Sequence, residues 1–141
     1  MKRSASAVWH GALKDGEGAL SAPSGVLNNT PYSFKTRFGD GVTGTNPEEL
    51  IAAAHAGCFT MAFSHALSEA GHPPASVETT ATVQLDQVEG GFSISKVDLK
   101  TNATVPGIDS DTFHKIAKGA KENCPVSKVL NAEITLDATL A

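Results

Sequence analysis

Cys58 and Cys124 are the only thiols in the chain, and their neighbours treat them differently. Cys58 stands beside Phe59 in a mostly apolar stretch, where a cysteine reads by default as a small buried hydrophobe. Cys124 immediately precedes Pro125, a residue suited to the first position of a helix. Free amide donors and the positive end of a helix dipole favour a thiolate there. Two such thiols can work as a redox pair, one attacking an electrophile and the other resolving the product as a disulfide. A thiol that reduces peroxides also needs a cation to hold the anion and polarise the O–O bond. Arg37 is the only arginine besides Arg3 and is the candidate for that task. Taken alone, it reads more readily as a solvated strand residue. Glu48 and Glu49 read as dipole partners and a cap at a helix start, and one of them is placed to anchor the guanidinium.

His55 precedes Cys58 by three residues and shares its helix face. A polar core contact is its plainest reading, with an imidazole–thiol contact or a metal pair as the alternatives. No HExxH, CxxC or second His/Cys cluster completes a metal site, and His10, His65, His72 and His114 are scattered, so no metal is assigned. The Gly39–Gly44 stretch precedes a helix but lacks the lysine of a phosphate loop and the dinucleotide fingerprint, so no bound cofactor is expected. Met61 and Phe63 read as core, or as the lining of a pocket for an apolar tail.

Alternation in Ala5–Trp9 and in Tyr32–Phe38 has the period of two of half-buried strands, with Gly/Asn/Pro turns between them. The first forty residues therefore read as a β-meander. Asn46 can cap a helix, Pro47 suits its first position, and Glu49 sits where a capping-box acid would. That helix runs to about Ala70, where Gly71 and the following His72-Pro73-Pro74 stop it, giving about 24 residues and roughly 36 Å. Ile51, Ala54, Cys58, Met61, Ala62 and His65 share one side at helical spacing, which predicts a core helix. Val77–Val88 and Phe92–Val105 read as a long hairpin around Glu89-Gly90-Gly91, with a bulge where Phe92 and Ile94 shift register to Val97 and Leu99. Asp109 or Ser110 caps a short helix to about Glu122, Pro125 starts another, and Glu133–Leu140 alternates as a last strand. The order predicts an α+β fold, not a doubly wound parallel sheet.

At 141 residues the chain fits a single domain, 1–141. Its net charge of −4, without any Lys/Arg cluster, argues against a nucleic-acid partner. No apolar run approaches the ~20 residues that span a bilayer, and Ala5–His10 is too short and mixed for a signal-peptide core. The expectation is a soluble protein with no membrane partner and a cytoplasmic location. Two cysteines are too few for a disulfide scaffold.

Asn46-Pro47-Glu48-Glu49-Leu50, continued by Ala52-Ala53-Ala54-His55-Ala56-Gly57-Cys58-Phe59 and answered by Cys124-Pro125-Val126-Ser127, closely resembles the OsmC family of osmotically inducible hydroperoxide reductases. Gly25-Val26-Leu27, Tyr32–Phe38 and Val105–Ile108 extend the likeness over essentially the whole chain. The sister group of organic hydroperoxide resistance proteins carries its arginine nearer the N-terminus and an aromatic where His55 stands, so the sequence falls on the OsmC side. Gly57, where alanine or serine is more usual, is a small departure that would loosen the helix.

The resemblance implies an intertwined α+β homodimer with long central helices enclosed by sheets and two active sites at the subunit interface. It implies a cysteine-based thiol peroxidase that reduces organic hydroperoxides, and hydrogen peroxide more weakly. Cys58 would be the peroxidatic thiol, Cys124 the resolving thiol, and Arg37 with Glu48 the pair that organises the site. The roles run against the local argument, by which Cys124 is the more acidic thiol, although a nearby cation can lower a thiol pKa by roughly 1–3 units. An external dithiol of lipoyl or other small-thiol type would reopen the bridge. The alternatives are a non-catalytic protein of the same fold that binds a small apolar ligand, and a redox sensor that oxidises without turnover.

Overall fold

β1 (Ser6–His10), β2 (Glu17–Ser21) and β3 (Thr30–Tyr32) form an antiparallel sheet in which β2 is central. A computed structural model describes residues 1–141, and the chain divides into two compact units, Met1–Leu50 and Ile51–Ala141. In the first unit Trp9 meets Tyr32 edge-on at 5.5 Å between ring centroids. The expected strand over Tyr32–Phe38 is not there: β3 ends at Tyr32, and Phe34–Phe38 is a short helix, α1. Ser33 decides it. Its hydroxyl accepts the Thr36 amide at 3.1 Å while the Thr36 hydroxyl accepts the Ser33 amide at 2.7 Å, a reciprocal cap that only a helix start can use. Phe34 and Phe38, four apart, share a face in a helix as they do in a strand, and their rings pack at 4.7 Å.

α2 (Pro47–Glu69) begins where Asn46 predicts, with the Asn46 side-chain oxygen accepting the Glu49 amide at 2.8 Å. The Glu49 carboxylate accepts the Thr45 hydroxyl at 2.9 Å. Gly71, at φ +84°, supplies the left-handed residue that ends the helix.

From Ile51 onward α2 belongs to the second unit. Its buried face is His55, Phe59, Phe63 and Leu67, whereas Ala54, Met61 and His65 of the expected core stripe are exposed. The helix is apolar on nearly every side, so periodicity could not select a face. For the same reason α2 is long and apolar enough, at a mean hydropathy of 1.4, to pass for a membrane span, contrary to the expectation that no run comes close. Core helices pass the same test, and Phe59, Phe63 and Leu67 are wholly buried in the core of this unit.

That core lies against a three-stranded sheet. β4 (Ser76–Val88) and β5 (Gly91–Thr104) form the expected hairpin, and β6 (Glu133–Leu140) joins β5 in parallel. The bulge falls where the register predicted it, with Ser95 left over between Gln84↔Lys96 and Leu85↔Ile94. α3 (Ser110–Asn123) is capped by Asp109, which accepts the Thr112 amide at 2.9 Å, and α4 (Pro125–Val129) follows at once. Phe63 packs between Phe59 (5.6 Å) and Phe113 (5.4 Å), and Val97 and Leu99 of β5 complete the buried cluster. A hydroxyl chain, Thr60 to Thr79 at 2.8 Å and Thr79 to Thr101 at 2.9 Å, ties α2 to β4 and β5.

Candidate active site

The second unit brings the two cysteines together. Cys58 projects from the middle of α2 and is half-buried, while Cys124 is wholly buried at the joint between two helices. The Cys124 amide bonds back to Ala120 at 3.0 Å, ending α3, and its carbonyl accepts the Lys128 amide at 3.1 Å, starting α4. Pro125 makes this abrupt restart cheap, because it gives up an amide the first turn could not use. The two sulfurs, both free thiols, lie 2.9 Å apart, with Cys124 donating a hydrogen bond to Cys58.

Burial pushes the Cys58 thiol up, and the hydrogen bond with Cys124 pushes it the same way, against a weaker pull from the Val126 amide. Burial would raise Cys124 too. Hydrogen bonds from Cys58, from the Ser127 amide and hydroxyl and from the Val126 amide outweigh it, and Cys124 falls below the usual thiol range. Within the pair Cys124 is therefore the more acidic thiol, as its helix-start position suggests. Access has the opposite order: Cys58 reaches the surface and Cys124, at 0% exposure, does not.

His55 is the other buried polar group of this site, with no exposed surface. Its Nε2 lies 2.7 Å from the Ser127 hydroxyl, and burial lowers its basicity. The polar core contact read from the sequence is thus present, and its partner is the residue that also touches Cys124. In the sequence Ser127 stands only as the last residue of the Cys124–Ser127 motif, with no role read for it. The available signal was its place two residues after Pro125, where a hydroxyl faces the amide end of a helix.

The first unit brings Arg37 and Glu48 together. Arg37 Nη2 donates to Glu48 Oε1 at 2.7 Å and Nε donates to both carboxylate oxygens at 3.2 Å, a forked ion pair. Local hydrogen bonds fix it: the Asn46 side-chain amide donates to the Thr36 carbonyl at 3.0 Å, holding the end of α1 against the first turn of α2. Gly44, at φ +148°, makes that approach feasible, since a Cβ there would come within 2.6 Å of the Pro31 carbonyl oxygen. With Arg37 at 37% side-chain exposure the pair adds little stability, so its worth lies in orienting a cation. Beside it opens an apolar cavity of about 310 Å³, lined by Trp9, Leu13, Tyr32, Phe34 and Phe38 with Arg37 in its wall. The sequence marked none of these aromatics as a lining. Such a cavity suits an apolar molecule with one polar end.

The family model for OsmC-like protein matches residues 39–139. Peroxiredoxin OsmC of Escherichia coli strain K12 is 58% identical over 134 residues, covering 95% of this chain and 93% of that protein. The organic hydroperoxide resistance protein of Xanthomonas axonopodis pv. citri is 36% identical over 104 residues, 73% of this chain and 71% of that one. Among solved structures, the organic hydroperoxide resistance protein OhrB of Bacillus subtilis superposes with a TM-score of 0.71 at 27% identity, over 96% of this chain and 98% of that one.

Proposed function

The chain belongs to the OsmC-like protein family, and from that premise we propose that it is a cysteine-based peroxidase that reduces organic hydroperoxides to alcohols. The observation that carries the reading is a pair of free thiols 2.9 Å apart, one accessible and one sealed in the core. Access supports Cys58 as the attacking thiol and Cys124 as the resolving one. A peroxide can reach Cys58, so Cys58 sulfur attacks the distal oxygen, the O–O bond breaks, and the alcohol leaves with the proton, giving a Cys58 sulfenic acid. Cys124 sulfur then attacks Cys58 sulfur, the S–O bond breaks, and water leaves the disulfide. An external dithiol of lipoyl or other small-thiol type reopens the bridge and is itself oxidised.

Arg37, held by Glu48, takes the part of the cation that binds the hydroperoxide. The apolar cavity beside Arg37 supports organic hydroperoxides over hydrogen peroxide, since each buried methylene contributes roughly 0.8 kcal/mol. The protein would work as a homodimer in the cytoplasm. Self-association is supported by the outward face of α2, where Ala53, Ala54, Gly57 and Met61 leave an apolar helix uncovered in the single chain.

Steady-state consumption of cumene hydroperoxide and of hydrogen peroxide, each with a small dithiol as reductant, tests the reading. Turnover of the organic peroxide with higher kcat/KM is expected, and Arg37→Met should remove most of it. A protein that consumes neither peroxide contradicts the proposal, and equal rates on both remove the role given to the cavity.

A further inference from the structure

His55 is a group for which the peroxidase reading has no use. It has no exposed surface, its Nε2 lies 2.7 Å from Ser127 Oγ, and its Nδ1 is buried without a hydrogen-bond partner. An apolar ring would fill the same space without the cost of desolvating an imidazole. The unpartnered Nδ1 settles which nitrogen carries the proton. An orphaned buried N–H forfeits a strong donor, whereas an orphaned lone pair costs less, so the proton sits on Nε2 and points at Ser127 Oγ. Ser127 Oγ, already an acceptor toward His55, has its own proton free to turn the other way. On that side lies Cys124, which starts α4 three positions earlier and whose thiol the Ser127 amide and hydroxyl make more acidic.

We propose that His55 and Ser127 form a buried donor relay to the resolving cysteine: His55 Nε2–H donates to Ser127 Oγ, whose own proton is thereby aimed at Cys124 Sγ, and the relay speeds closure of the disulfide. The inference rests on the peroxidase reading and deepens its second step. That step is Cys58–SOH plus Cys124–SH giving the disulfide and water: the Cys124 proton leaves with the hydroxyl of the sulfenic acid, and the sulfur lone pair forms the S–S bond. A hydroxyl hydrogen held on Cys124 Sγ steadies the anion while that proton is in transit. Ser127 touches a reacting atom and is catalytic. His55 acts through Ser127 and is a positioning residue, because an imidazole that donates to Oγ prevents the hydroxyl from turning its proton toward the ring.

The test separates the two steps by single-turnover kinetics. Reduced protein is mixed with excess cumene hydroperoxide, quenched at intervals, and its intact mass read for the reduced, singly oxygenated and disulfide forms. In Ser127→Ala and His55→Leu, closure is expected to slow about tenfold, the kinetic size of one lost hydrogen bond to an anion, so that the oxygenated form accumulates. Formation of that form should change far less. Ser127→Thr, which keeps a hydroxyl, and His55→Gln, which keeps an N–H donor, should restore most of the closure rate. A merely structural tie between α2 and α4 predicts lower stability in Ser127→Ala but closure at the parent rate without accumulation, and that result overturns the proposal. Equal closure rates in His55→Leu and His55→Gln would also overturn it. A parent protein that is neither oxygenated nor bridged by the peroxide overturns this inference together with the peroxidase reading, whereas an oxidising parent with an unaffected Ser127→Ala overturns this inference alone.

Discussion

Closing the Cys58–Cys124 bridge changes the stability of the second unit by an amount that follows from chain length. The two residues are 66 positions apart, so the bridge removes a 66-residue loop from the unfolded ensemble. The loop-entropy relation puts the gain at about 4 kcal/mol, provided that closure leaves the native backbone unstrained. The proviso is reasonable here, because the sulfurs already touch at 2.9 Å and Cys124 is held from both sides by helix hydrogen bonds. With an m-value of about 2 kcal/mol/M for urea, the oxidised protein should unfold about 2 M later than the reduced one. The assay is urea unfolding followed by far-ultraviolet circular dichroism at one protein concentration, with the disulfide verified by mass and Cys124→Ser carried through the same oxidation as control. An oxidised protein that unfolds at the same or lower urea would mean that bridging requires the backbone to leave the conformation described.

Phe63→Ala opens a void between Phe59 and Phe113 in a fully buried position and should cost about 3–5 kcal/mol, read as a lower urea midpoint; a loss under about 1 kcal/mol would mean the aromatic cluster is not the core. Burial holds His55 below its usual range, so the unfolded chain binds a proton there below about pH 6.5 while the native chain does not. Stability should therefore fall as pH drops from 7.5 to 5.5, by at most about 1.4 kcal/mol per pH unit from this residue. His55→Gln should remove that part of the slope, and identical slopes in the two proteins would contradict it. Met61, 76% exposed on the apolar face of α2, should weaken self-association when changed to lysine, measured by sedimentation velocity. Unchanged association, or a parent protein that stays monomeric, would contradict the proposed role of this face.

What the sequence revealed depended on whether a residue had one physical use or two. Asn46, Pro47 and Gly71 each have one, and they set the ends of α2 to within a residue of expectation. The register shift across Phe92–Leu99 likewise has only the bulge as its cause. Phe34 and Phe38 have two, since a spacing of four satisfies both a strand and a helix, and the Ser33–Thr36 cap tips the balance. The apolar girth of α2 left its buried face undecided, so Met61 was placed inside and is outside. In the candidate site, the residues themselves and the ion pair of Arg37 with Glu48 were legible from type and resemblance. The contact of Cys58 with Cys124 and the bond from His55 to Ser127 were not, because each joins α2 to α4 across a sequence separation that no local pattern encodes.

In the proposed mechanism Cys58 takes the oxygen and Cys124 closes on it. One equivalent of an alkyl hydroperoxide added to the reduced protein, with intact mass read for the parent, Cys58→Ser and Cys124→Ser, tests it most directly. The expected result is loss of two hydrogens in the parent, gain of one oxygen in Cys124→Ser and no change in Cys58→Ser. An unreactive parent, or oxidation that survives only in Cys58→Ser, would contradict it.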